Sequence, residues 1–440
     1  MRILLIMPDA GVHRLRFGGW SRSFREAPLT LTTLAALVPG ELAAEIRLAD
    51  ESVEPLPEEQ NWDVVGISCL TGTARRAYEL ADRYRSAGCR VVLGGVHATL
   101  CPDEAAAHAD ILVTGFAEET WPRLLRDVVA GQARRHYAGE PPPALVNLPR
   151  PRRDLQANSR YMLPQTVFAT RGCRGRCEFC TVPAAGFGWA TRPVPEVAAE
   201  VRSLPGRRFA LNDVSLCEDR DYALELCRGL APLGKEWGGL ATARVADDEE
   251  LLAALAASGC RFLLVGFEST SADSLGELRK RYNRPADYAA TIRAFHRHGI
   301  CVQGCFIFGM DHDTPESIRQ TPRLVAEMGV DIPRFALFTP YPGTPVHARL
   351  AAENRLLHQH WPHYDTQHVV FRPRHMDSAT LDALFREVYA ETYRLGAITR
   401  RAFASPRPAI TYLGNLAYRL YLRRLRSEKN RIFQPEAPTP

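Results

Sequence analysis

The chain has 440 residues, 46% of them apolar and 24% charged, with a formal net charge of +5. This is the balance of a globular protein of roughly two to four domains, and it gives no reason to expect a nucleic-acid partner. No run of about 18 apolar residues occurs, and eleven cysteines in a long chain without an export signal point to a reduced, cytoplasmic setting rather than a disulfide scaffold.

Residues 1–138 alternate short apolar runs with helical patterns. "RILLIM" (2–7), "AEIRLAD" (44–50), "DVVGISCL" (63–70), "RVVLGG" (90–95) and "DILVTG" (110–115) predict strands. "LTLTTLAALV" (29–38), "ARRAYELADRYRSAG" (74–88), "PDEAAAHA" (102–109) and "WPRLLRDVVAG" (121–131) predict the helices between them. Strands rich in Ile, Val and Leu that alternate with helices imply a parallel sheet covered on both faces. The stretch reads as an open, doubly wound (Rossmann-like) α/β domain whose ligands bind beyond the carboxyl ends of its strands. Gly94 and Gly95 end one strand and Gly115 the next; they let backbone approach a large flat ligand, with Glu118 nearby for polar contacts. Residues 139–163 lose the periodicity under repeated prolines and read as a linker.

A second alternating series covers 164–372. Its strands are "QTVFAT" (165–170), "RRFALN" (207–212), "GGLATAR" (238–244), "RFLLVGFE" (261–268), "CVQGCFIFG" (301–309) and "PRFALFTP" (333–340). Six βα units of this kind predict a partial parallel barrel, with chemistry at the carboxyl ends of the strands. Residues 373–440 turn mainly helical. Within them "LGNLAYRLYLRRLR" (413–426) mixes apolar and basic residues at helical spacing. That segment reads as a helix packed on the barrel with its arginines exposed, the alternative being a peripheral membrane contact.

The chemistry-bearing motif is "RGCRGRCEFC" (171–180), where Cys173, Cys177 and Cys180 follow the first strand of the second series. Glycines around the loop let a backbone wrap closely, and Arg171, Arg174 and Arg176 favour thiolates. A zinc site needs a fourth ligand, yet no cysteine or histidine occurs in the next thirty residues. A CxxC redox pair leaves Cys173 unexplained, and packing cysteines do not explain the spacing. Three thiolates on one loop suit an iron–sulfur cluster with one iron left open.

CxxxCxxC at the end of the first of six βα strands resembles the radical S-adenosylmethionine (SAM) superfamily. The resemblance covers roughly 165–345. It implies a [4Fe-4S] cluster on Cys173, Cys177 and Cys180, with SAM chelated at the open iron and Phe179 beside the adenine. It further implies that Asn212 and Asp213 hold SAM's amino group, Arg244 its carboxylate, and Glu268 and Ser269 the ribose or amino group. The plainer reading of Asp213 and Glu268 is as caps of the following helices, and of Arg244 as a surface ion pair.

A doubly wound domain ahead of such a barrel resembles the cobalamin-binding subclass. The segments "PLTLTTLAALV" (28–38), "DVVGIS" (63–68), "GGVHATLCPDEA" (94–105) and "VTGFAEETW" (113–121) fall where that subclass carries its loops. The resemblance implies cobalamin contacts from Ser68, Thr71, Gly94, Gly95, His97, Gly115 and Glu118. The chain has no D-x-H-x-x-G motif to supply cobalt's lower ligand. Of the histidines near strand ends, His13 and His97, the latter is expected to make a loop or nucleotide-tail contact.

What the subclass implies is a cobalamin-dependent C-methyltransferase. One SAM methylates cob(I)alamin, a second gives a 5′-deoxyadenosyl radical, and the substrate carbon radical takes the methyl group. The alternatives are a cyclase or oxidative rearrangement enzyme without methyl transfer, and a non-catalytic cobalamin sensor or carrier. The expected partners are a small-molecule, lipid or natural-product substrate and a flavodoxin- or ferredoxin-type electron donor.

Overall fold

The computed structural model describes residues 1–9, 14–17, 20–280 and 282–425, which fall into two compact units. His13 and Arg426 lie outside the described residues.

The first unit comprises Met1–Arg174, Cys180–Leu204 and Tyr341–Thr344. Six parallel strands stand in the order Glu45–Asp50, Arg2–Met7, Val64–Ser68, Arg90–Gly94, Ile111–Gly115, His136–Gly139. Successive residues Ile3, Leu4, Leu5 and Ile6 are all fully buried. Because a strand turns alternate side chains to opposite faces, that run requires cover on both sides. On one face Leu31, Trp121, Leu124 and Leu125 pack with Ile3, Leu5, Val64 and Val92. The strand order reverses between Arg2–Met7 and Val64–Ser68, and such a switch point opens a crevice at the carboxyl ends. Ser68, Gly94 and Gly115 each end a strand on that rim.

Four features of this unit differ from the expectation, the first being the sixth strand His136–Gly139, which crosses the expected boundary between domain and linker. Arg14–Phe17 and Trp20–Glu26 pair antiparallel, and Tyr161–Leu163 joins them as a third strand. The stretch 139–163, without periodicity, is thus tied in place, and the Tyr161 hydroxyl donates to Asp50 at 2.7 Å. The run 165–170 is divided into Thr166–Val167 and Thr170–Arg171, and the latter pairs with Ala190–Thr191.

The second unit comprises Gly175–Phe179, Pro205–Pro340 and Pro345–Pro440. Its parallel strands Arg208–Leu211, Glu236–Ala241, Cys260–Glu268, Cys301–Phe308 and Ile332–Leu337 lie side by side in chain order. Sequential order keeps right-handed crossovers on one face, which is the winding of a partial barrel. The edge of Ile332–Leu337 is closed by the helix Ser378–Thr392. The Tyr389 hydroxyl donates to the Phe335 carbonyl at 2.8 Å and accepts from its N–H at 3.2 Å, and Tyr393 donates to the Pro333 carbonyl. Pro333 sits in a strand because its missing N–H faces this edge. The C-terminal region is helical as expected, with Leu395–Ala404 and Pro408–Leu425 following.

Candidate functional site

Cys173, Cys177 and Cys180 lie on an irregular loop, all half-exposed, and Cys180 leads into the short helix Thr181–Ala184. Gly172, with φ of +79°, opens the loop; a Cβ there would overlap the Gly188 carbonyl. The chain therefore needs glycine to enter the loop at this angle. The expected arginine charges are partly committed: Arg171 pairs with Glu118 at 3.2 Å, and Arg174 stacks on Trp189 at 4.2 Å. Elsewhere burial pushes the thiols up, Cys69 to about 12 and Cys101 to about 11, so these remain protonated fillers.

In the second unit a group of side chains forms around the carboxyl end of Cys260–Glu268. Glu268 is buried with φ of +64°, and its Oε1 meets Lys280 Nζ at 2.6 Å. Lys280 in turn lies 5.8 Å from the Phe179 ring. Burial works against the Lys280 charge, but Glu268, Tyr282 and Cys177 more than offset it, holding the ammonium above its usual range. The Arg244 guanidinium, exposed in the single-turn helix Ala243–Asp247, lies over the Tyr282 ring at 4.2 Å. Asn283 Nδ2 donates to the carbonyls of Gly266 and Phe267, and the Tyr288 hydroxyl lies within 3.0 Å of those of Phe267 and Ser269. Arg279 holds Glu178 at 2.7 Å.

Two plain readings fail here. The helix after Asp213 is capped by Asp219 and the helix after Glu268 by Ser271, so neither acid is a cap. Arg244 makes a ring contact and, among the described residues, no ion pair, so the plainer reading of it as half of a surface pair does not hold there. The structure brings Phe179 and Glu268 together through Lys280. Asn212 is exposed beyond Arg208–Leu211, whereas Asp213 and Ser269 are buried. Lys280, Tyr282, Asn283 and Tyr288 were not singled out from sequence. Their only signal is a lysine between arginines just ahead of an aromatic residue.

In the first unit, Gly95 and Gly115 carry φ of +100° and +72°. A Cβ on Gly95 would lie 2.7 Å from the Cys69 carbonyl oxygen, and one on Gly115 would overlap Gly139. Neighbouring backbone alone therefore requires glycine at both positions. Thr71 is 2% exposed and its Oγ1 meets His97 Nδ1 at 3.2 Å; His97 Nε2 meets the Tyr78 hydroxyl at 3.1 Å. His97 is fully buried on the helix Val96–Leu100, not on a loop. Ser68 is half-exposed at its strand end. Both carboxylate oxygens of Glu118, one residue into the helix Ala117–Val129, are buried without a hydrogen bond among the described residues.

Comparison with known proteins follows the same division. The radical SAM superfamily model matches residues 167–325 and the B12-binding domain model residues 27–125. The chain is 31% identical over 392 residues to a bacteriochlorophyllide d C-12(1)-methyltransferase of Chlorobaculum tepidum, covering 86% of this chain and 85% of that one. The chain belongs to the cobalamin-binding radical SAM superfamily. As a cobalamin-dependent radical SAM enzyme it works with a [4Fe-4S] cluster, SAM and cobalamin. Another relative in this superfamily is the anaerobic magnesium-protoporphyrin IX monomethyl ester cyclase of Rubrivivax gelatinosus, 25% identical over 78% of this chain and 68% of that one. The fold is shared with the radical SAM methyltransferase TsrM of Kitasatospora setae, solved with cobalamin and [4Fe-4S] cluster bound (TM-score 0.63, 19% identity, covering 80% of this chain and 78% of that one).

The residues present fit these groups. Three half-exposed thiols on a glycine-entered loop are a cluster's donor set, short by one. The Glu118 carboxylate at the carboxyl rim of the first unit's sheet is buried and paired with Arg171 but accepts no hydrogen bond among the described residues, which leaves it acceptor capacity for a polar ligand group. Among the described residues, no helix is long and apolar enough to cross a membrane.

Proposed function

We propose that the protein is a C-methyltransferase acting on a small molecule. The observation that carries this reading is the 31% identity, along 86% of the chain, to a methyltransferase that acts on bacteriochlorophyllide d. On this reading residues 1–138 hold cobalamin, 139–163 connect, 164–372 hold the cluster and SAM, and 373–440, helical through Leu425, are the C-terminal region. When bound, the cluster with SAM supplies a 5′-deoxyadenosyl radical and cobalamin supplies the methyl group.

The chain's own residues bind and orient. Cys173, Cys177 and Cys180 ligate three irons and leave the fourth to SAM. The exposed Arg244 guanidinium pairs with SAM's carboxylate, and its contact with Tyr282 fixes its plane. Glu268 keeps its Oε2 for the ribose or amino group while Lys280 holds Oε1. Asn212 contacts the amino group, Ser269 supports the ribose side, and Asp213 holds the loop from within. The Phe179 backbone lies along the adenine. Ser68, Gly94, Gly95, Gly115 and Glu118 line the cobalamin rim, with Thr71 and His97 acting from behind as positioning residues. The electron comes from a cytoplasmic flavodoxin or ferredoxin.

A tetrapyrrole is the first substrate to try. Enzyme reconstituted anaerobically with iron, sulfide and cobalamin is incubated with methyl-labelled SAM and bacteriochlorophyllide d. Label in a methylated pigment, together with 5′-deoxyadenosine, is the expected result. Deoxyadenosine with an altered but unlabelled pigment would replace methyl transfer by cyclisation or oxidative rearrangement.

A further inference from the structure

The helix Pro408–Leu425 carries apolar residues on its inner face, Tyr421 and Leu422 among them, and on its outer face as well. Its inward residues include Thr411 and Asn415, both fully buried. Asn415 Nδ2 donates to the Asp331 carbonyl at 2.8 Å, its Oδ1 accepts from Arg401 at 2.7 Å, and the Thr411 hydroxyl meets Ser405 Oγ at 2.7 Å. The Tyr418 hydroxyl accepts from Gln303 Nε2 at 2.7 Å. The outward residues are Ile410, Tyr412, Leu413 and Leu420, and Leu413 is 66% exposed. At 100° per residue, Ile410, Leu413, Ala417 and Leu420 fall on one stripe. A helix that buries Tyr421 and Leu422 on one side and exposes Leu413 and Leu420 on the other has a second apolar surface to cover. Its neighbour Leu395–Ala404 shows the same habit: Phe403 is 84% exposed and Leu395 53%.

The charge around these residues is one-sided. Arg394 to Leu425 contains seven arginines and no aspartate or glutamate. Arg401 and Arg419 are turned inward, Arg419 donating to the Tyr393 carbonyl at 2.9 Å, while Arg394 and Arg400 stand exposed beside Leu395 and Phe403. The segment thus packs on the barrel as expected; of its arginines only Arg419 has a described side chain, and what the described part of the helix shows to solvent is chiefly apolar. Exposed leucine and phenylalanine beside the guanidinium groups of Arg394 and Arg400 match the boundary between acyl chains and anionic headgroups.

We propose that Leu395–Ala404 and Pro408–Leu425 dock the enzyme on an anionic lipid surface. The apolar stripe enters the headgroup boundary and the arginines meet lipid phosphates. This holds whatever carbon the enzyme methylates, so its test is independent of substrate.

The full-length protein is floated with vesicles of phosphatidylcholine alone or mixed with phosphatidylglycerol. Binding to the mixed vesicles, weakened by salt, is expected, and Phe403→Ser or Leu413→Ser should each lower it by about tenfold. Both positions face solvent, so both variants should keep the wild-type melting temperature; a Leu413→Ser protein that does not fold would show that face to be packed and overturn the proposal. Failure to float, or flotation indifferent to both substitutions, overturns it too. A dimer in size-exclusion chromatography that Leu413→Ser splits, without vesicle binding, would assign the face to a second copy instead.

Discussion

Glu268 holds a left-handed backbone that costs a non-glycine residue of order 1 kcal/mol or more, and its side chain is buried beside the Lys280 ammonium. The conformation persists because Lys280 takes one carboxylate oxygen while Asn283 and Tyr288 hold the carbonyls on either side. Removing the ammonium strands the carboxylate in an enclosed site. Lys280→Met should therefore cost about 3 kcal/mol of unfolding free energy, and adding Glu268→Gln should return part of it. Urea denaturation of both variants measures the pair; a single variant as stable as wild type would show that solvent, not Lys280, satisfies Glu268. Lys280 was invisible in the sequence because its meaning lies in a partner twelve residues upstream across a helix. The cysteine triplet was legible because its meaning is local: three donors on one short loop.

At the scale of elements, the strands of both sheets were readable because each is a short Ile/Val/Leu run between helical patterns. Reading failed where pairing, not pattern, makes the strand. "RLRF" and "WSRSFRE" alternate around Gly18–Gly19, a turn signal, yet their polar content hid them. "QTVFAT" is apolar enough for one strand but is divided, because Thr170–Arg171 pairs away with Ala190–Thr191. The helix Ser378–Thr392 was expected, but its role at the edge of Ile332–Leu337 was not. That role makes a prediction. Tyr389→Phe keeps the ring that meets Phe335 edge-on at 5.1 Å and removes only the hydroxyl, leaving a buried N–H and C=O with no partner. The loss should be about 1–3 kcal/mol in guanidinium unfolding, far more than a surface tyrosine would give. A loss near zero would mean that water reaches the strand edge.

At the scale of the molecule, the sequence marks two ligand-binding segments that do not overlap, 27–125 for B12 and 167–325 for radical SAM chemistry. They were legible separately because each carries its own periodicity and loop residues. What could not be read was the local backbone reason for particular residues: a Cβ on Gly95 would meet Cys69 backbone and one on Gly115 the Gly139 backbone. The separation of donors also predicts separable cofactors. On the proposed reading the thiols of Cys173, Cys177 and Cys180 are the cluster's donors, and the rim formed by Ser68, Gly115 and Glu118 draws on none of them. Cys177→Ala, reconstituted anaerobically beside wild type, should lose the iron–sulfur absorption shoulder and all 5′-deoxyadenosine formation. Its corrinoid spectrum and cobalamin stoichiometry should remain. Loss of both cofactors together would show that cobalamin depends on the cluster loop being loaded, and would move that loop into the corrinoid's own binding surface.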